Sequence, residues 1–63
     1  MTGGAEDPLR RFRHDLANPL SAILAETQLL LLNAETLDPE VATSLREIER
    51  LARRMREMLQ GKT

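Results

Sequence analysis

The 63-residue chain has no cysteine, no tryptophan, no tyrosine and a single phenylalanine. Without cysteine there is no disulfide and no thiolate metal site. One histidine, His14, cannot anchor a zinc ion by itself. With one aromatic, Phe12, there is almost nothing on which a nucleic-acid base could stack, and a net charge of -1 gives little attraction to phosphate backbones. The longest apolar run, Leu29 to Leu32, is far too short to span a bilayer. β-branched aliphatics are limited to Ile23, Val41 and Ile48, so no strand pattern competes for the chain. The opening MTGGAEDP lacks the basic-then-apolar layout of a signal peptide, and the chain reads as cytoplasmic.

What is present is charge and periodic leucine. Charged residues make up 30% and hydrophobics 41%, the balance of a folded chain. A chain this short is marginal as an isolated fold, and with disulfide and metal excluded, a second copy is the expected remedy. Eight of the nine basic residues are arginine, and five of them fall between Arg46 and Arg56.

Two helices are written into the pattern. Asp7-Pro8 is a start signal, since Asp accepts bonds from orphan amides and Pro suits the first helical position. Leu9, Leu16, Ile23 and Leu30 then recur one heptad apart, widened by Phe12, Leu20, Leu24 and Leu31. Asp38-Pro39-Glu40 repeats the start signal. Val41, Leu45, Ile48, Ala52, Met55 and Leu59 follow at four-three spacing, flanked by Leu51 and Met58, with a stop near Gly61. The expected organisation is a disordered segment 1–6, a helical domain 7–60 and a tail 61–63. Within the domain, helix 1 covers about 8–33, the loop about 34–38 and helix 2 about 39–60. The expected fold is all-α: an antiparallel hairpin whose wide apolar faces close a homodimeric four-helix bundle.

His14 is where chemistry concentrates. With the leucine column at heptad position a, His14 falls at f, away from that column, and shares its face with Asn18 and Ser21. Asp15 is adjacent. A carboxylate that takes the proton of one ring nitrogen leaves the other nitrogen's lone pair free to attack. Asn18 is placed to position a water or a phosphoryl oxygen. Pro19 removes a donor, clashes with the carbonyl of Asp15 and bends the helix beyond the histidine. With the hairpin turning near residue 36, His14 is expected level with about Met58. Arg53, Arg54 and Arg56 then join Arg10, Arg11 and Arg13 in a basic collar suited to a phosphate donor or an acidic protein partner. The plainer reading of these charges is ordinary surface solvation, with Glu49–Arg53 and Arg53–Glu57 pairs supporting the helix.

FRHDLANPLSAI resembles the H-box of sensor histidine kinases, and LDPEVATSLREIERLARRMREML resembles the second helix of their dimerisation and histidine phosphotransfer domain. The resemblance covers about residues 8–60. It implies that His14 is the phosphoacceptor, Asp15 the acid/base residue assisting transfer, Asn18 the position tied to dephosphorylating the partner, and Pro19 the helix-bending proline. It implies a homodimer, a phosphodonor ATP (with Mg) bound by a separate catalytic domain, and an acceptor aspartate on a response regulator receiver domain. Ser21 and the arginines named above are expected partner-binding positions. Nothing in the chain resembles the ATP-binding domain, so the fragment is expected to hold no cofactor and to be inactive as a kinase alone. It reads as an excised domain, with no contact to nucleic acid or membrane. The competing expectation is a degenerate or stand-alone helical docking module that dimerises without phosphotransfer.

Overall fold

A computed structural model describes residues 7–61; the expected segment 1–6 and the last two residues of the tail lie outside them. Two helices account for most of the chain: α1, Pro8–Leu31, and α2, Pro39–Leu59. A single 3-10 turn, Ala34–Thr36, joins them. Among the described residues there is no strand.

Each helix begins where its Asp-Pro pair dictates. The Asp7 carboxylate accepts from the Leu9 amide at 3.0 Å, and the Asp38 carboxylate from the Glu40 amide at 2.9 Å. Each thereby satisfies an amide that has no partner inside its helix. α1 stops at Leu31, two residues before the end its pattern suggests, because Asn33 leaves helical geometry and starts the 3-10 turn. The Thr36 hydroxyl donates to the Asn33 carbonyl at 2.7 Å and secures that turn. α2 ends at Leu59, and Gly61 just beyond it has a φ of +77°, the left-handed conformation that glycine adopts without a Cβ clash.

The helices pack along a narrow seam. Leu20, Leu24 and Thr27 of α1 are buried, as are Ala42 and Ala52 of α2, with Leu59 packed against the Leu20–Leu24–Ala52 cluster. Ala52 helps the helices approach closely, since its small side chain leaves room for Leu20 and Leu24. Thr27 is tolerated because its hydroxyl donates to the Ile23 carbonyl at 2.7 Å, four residues back. At the edge of the seam the Gln28 amide donates to the Glu49 carboxylate at 3.2 Å, and Arg53 donates to the same oxygen at 3.1 Å.

The seam is not the leucine column that the heptad count places first. Leu9, Leu16, Ile23 and Leu30 remain 37% to 55% exposed, whereas the flanking Leu20 and Leu24 are 5% and 4% exposed. On α2, Val41, Ile48 and Met55 likewise stay open, with Leu51 and Met58 beside them. The hairpin therefore uses one edge of each apolar face and leaves the other edge free.

Leu24→Ala is expected to destabilise the helical state by about 2–5 kcal/mol, the range for a buried leucine whose cavity does not collapse, measured by thermal or urea melts in circular dichroism. Pro19→Ala restores a donor within α1 and is expected to raise the midpoint, by up to about 3 kcal/mol in stability. An unchanged midpoint in either variant would contradict the packing described.

Candidate functional site

An α-helix turns about 100° per residue, which places every side chain of α1 relative to His14. Asn18, Ser21, Ala25, Gln28 and Leu32 fall within about 40° of it, on one face. Ile23 is about 180° away, and Leu9, Phe12, Leu16 and Leu30 lie about 140–160° away. His14 is thus on the side of α1 opposite the open apolar column, and it is exposed, as are Asp15, Asn18, Pro19 and Ser21.

The same geometry applies to α2. Arg46 and Arg53 lie within about 60° of Glu49, while Ile48, Leu51, Met55 and Met58 lie about 140–160° from Arg53. The Gln28–Glu49 hydrogen bond joins the face of α1 that carries His14 to the face of α2 that carries Arg53. The hairpin accordingly has two unlike sides. One is an apolar stripe from both helices. The other holds His14 and its column on α1, and on α2 a shallow, open depression lined by Arg46, Glu49, Arg50, Arg53, Arg54 and Glu57.

The arginines of the expected collar stand at two helix ends: Arg53, Arg54 and Arg56 on the last turns of α2, and Arg10, Arg11 and Arg13 on the first turns of α1, the end that carries His14.

Among the described residues neither the His14 nor the Asp15 side chain makes a hydrogen bond or ion pair, so the imidazole is open to an incoming group. Asp15 is about 100° around the helix, adjacent enough for its flexible carboxylate to meet the ring edge. Pro19, inside α1, has no N–H to offer the Asp15 carbonyl one turn back. That carbonyl and the Asp15 carboxylate are both acceptors next to the imidazole. Asn18 brings an amide to the same face one turn on.

The other charges are supporting. Arg50 holds Glu47 through two hydrogen bonds of 3.0 and 2.6 Å. That guanidinium keeps the Glu47 carboxyl below its usual range, chiefly by hydrogen bonding, and the carboxylate raises Arg50 in turn. Both are exposed, so the pair steadies the helix surface and little more. Among the described residues no three His, Cys, Asp or Glu groups are arranged to hold a metal ion, and no helix is long and apolar enough to cross a membrane. The hairpin seam was harder to read in the sequence than the site: a buried threonine and two alanines carry no hydrophobic signal strong enough to displace the leucine column.

No curated protein and no solved structure matches the chain. The family model for the His Kinase A (phospho-acceptor) domain matches residues 9–61, nearly the whole chain, spanning His14 and both helices. The chain therefore belongs to the His Kinase A family and is the phospho-acceptor and dimerisation part of a histidine kinase.

Proposed function

We propose that His14 is the phosphorylated residue, charged from ATP and discharged to an aspartate of a response regulator receiver domain. The observation that carries this reading is the position of the only histidine. It stands exposed and unpaired among the described residues, beside a carboxylate, on the face that the apolar stripe does not occupy. The ATP, with its Mg ion, is held by a separate catalytic domain of the same kinase.

The chemistry asked of His14 is simple. A neutral ring nitrogen attacks the γ-phosphorus, an N–P bond forms, the bond from phosphorus to the β–γ bridging oxygen breaks and ADP leaves. The proton on the other nitrogen stays on the ring, where the Asp15 carboxylate accepts a hydrogen bond from it and stabilises the charge. In the return step an aspartate oxygen of the receiver attacks phosphorus, the N–P bond breaks and neutral imidazole is restored. Asn18, one turn on, is suited to orient a water or a phosphoryl oxygen.

The open apolar stripe supports the second half of the role. Leu9, Phe12, Leu16, Ile23 and Leu30 join Val41, Ile48, Leu51, Met55 and Met58 as exposed large hydrophobics on one side of the hairpin. Each is worth about 1.5–3 kcal/mol when fully covered. Two hairpins meeting stripe to stripe close a four-helix bundle and leave both His14 faces outside.

The test is labelling. With ATP and an added histidine-kinase catalytic domain, the chain is expected to take up acid-labile, alkali-stable label. His14→Gln should abolish it, and Asp15→Asn should slow it by about 10²-fold or more. Label retained by His14→Gln would overturn the reading. Sedimentation is expected to show a dimer that Ile23→Glu converts to monomer, with a melting midpoint that rises with protein concentration only in the unaltered chain. A wild-type monomer at tens of micromolar would overturn the bundle.

A further inference from the structure

The two helices treat their own dipoles in opposite ways. α2 carries Glu40 in its first turn and Arg56 in its last, each charge where the helix favours it. α1 has no acid in its first turn, and Arg10, Arg11 and Arg13 all fall within its first six residues. Cations there oppose the positive end of the helix. All three are exposed, so no burial offsets the cost. A local rule broken without a packing return marks a functional demand.

His14 is where that demand falls. Arg10 stands four residues before it, about 40° around the helix, with the two Cβ atoms about 6 Å apart. Arg13 is about 100° away. Arg11, about 60° away on the other flank, is already engaged. The Arg10 side chain makes no hydrogen bond or ion pair among the described residues. Helical side chains lean toward the helix N-terminus, so the His14 imidazole extends over the turn that carries Arg10. On the other side of the ring, one turn on, the same face offers Ala17 and Asn18, neither of them charged.

We propose that Arg10 is the phosphoryl clamp of His14: its guanidinium donates N–H bonds to the oxygens of the phosphoryl group as that group arrives on the ring, and holds it there. This rests on the phosphotransfer reading above and gives it a further residue. A guanidinium is a planar fork that matches two phosphoryl oxygens, and its charge offsets theirs. No bond to Arg10 forms or breaks. Asp15 serves the ring nitrogen that keeps its proton, and Arg10 faces the group carried by the other.

Phosphoramidate tests the clamp on the whole chain with no partner protein present. A ring nitrogen of His14 attacks its phosphorus, a new N–P bond forms, the donor's own P–N bond breaks and ammonia leaves. Phosphohistidine is followed by phosphorus NMR and intact mass, with His14→Gln as the blank. At low salt Arg10→Ala is expected to react about five- to tenfold more slowly, and Arg10→Lys to lie between it and the unaltered chain. Arg46→Ala removes the same charge from α2 and should stay within about twofold of the unaltered rate. At about 1 M salt the Arg10→Ala deficit should shrink toward parity, because the group is exposed. The melting midpoint of Arg10→Ala should equal or exceed that of the unaltered chain, since a cation leaves a helix N-terminus and alanine favours helix. Loss of a merely structural arginine would lower it. An unchanged rate in Arg10→Ala, an equal loss in Arg46→Ala, or a deficit that comes with a lowered midpoint would overturn the inference. Failure of the wider reading looks different: Arg10-dependent reaction of His14 with phosphoramidate, but no label from ATP and an added catalytic domain, leaves the clamp standing and removes the kinase role.

Discussion

The close approach of α1 and α2 along Leu20, Leu24 and Thr27 governs everything else in this hairpin. Ala52 makes it possible by offering Leu20 and Leu24 no competing bulk. Because the seam takes one edge of each helix, the two remaining edges are sorted to opposite sides. The apolar edge is free to meet another copy and the polar edge is free to meet a partner. A seam shifted by one residue on either helix would rotate His14 by about 100° toward the core or the stripe, and the division of labour would be lost. The Gln28–Glu49 bond at the seam's rim resists that slip, since it crosses from α1 to α2, whereas the Arg53–Glu49 bond lies within α2.

The packing is also economical to the point of incompleteness. No side chain in the described hairpin is fully sealed from solvent, and many large hydrophobics stay open. A chain this short cannot bury enough surface by itself to offset the entropy of ordering it. In the proposed dimer, folding and pairing of two copies would be one event, with the apolar stripe covered from outside.

The helices were legible because their punctuation is chemical. Asp7-Pro8 and Asp38-Pro39 each combine a capping carboxylate with a fixed backbone angle, and the structure starts a helix at both. The outward position of His14 was legible too, since a heptad count needs only spacing. The choice of seam was not. Hydrophobic pattern shows that a face is apolar, yet it does not say which edge meets the chain's own second helix and which meets another copy. Leu16 and Leu20 look alike in sequence, yet it is Leu20 that packs with the small Ala52.

Pro19 lies five residues from His14, and between them the helix lacks one rung of its ladder at the Asp15 carbonyl. Helix rise over that span is about 7.5 Å, a short lever. A change of bend of about 10° at the proline would carry the imidazole through rather more than 1 Å. Misplacement on that scale can cost a transfer step about a hundredfold. The missing rung is thus a point of mechanical gain, where a small change of bend becomes a larger displacement of the imidazole.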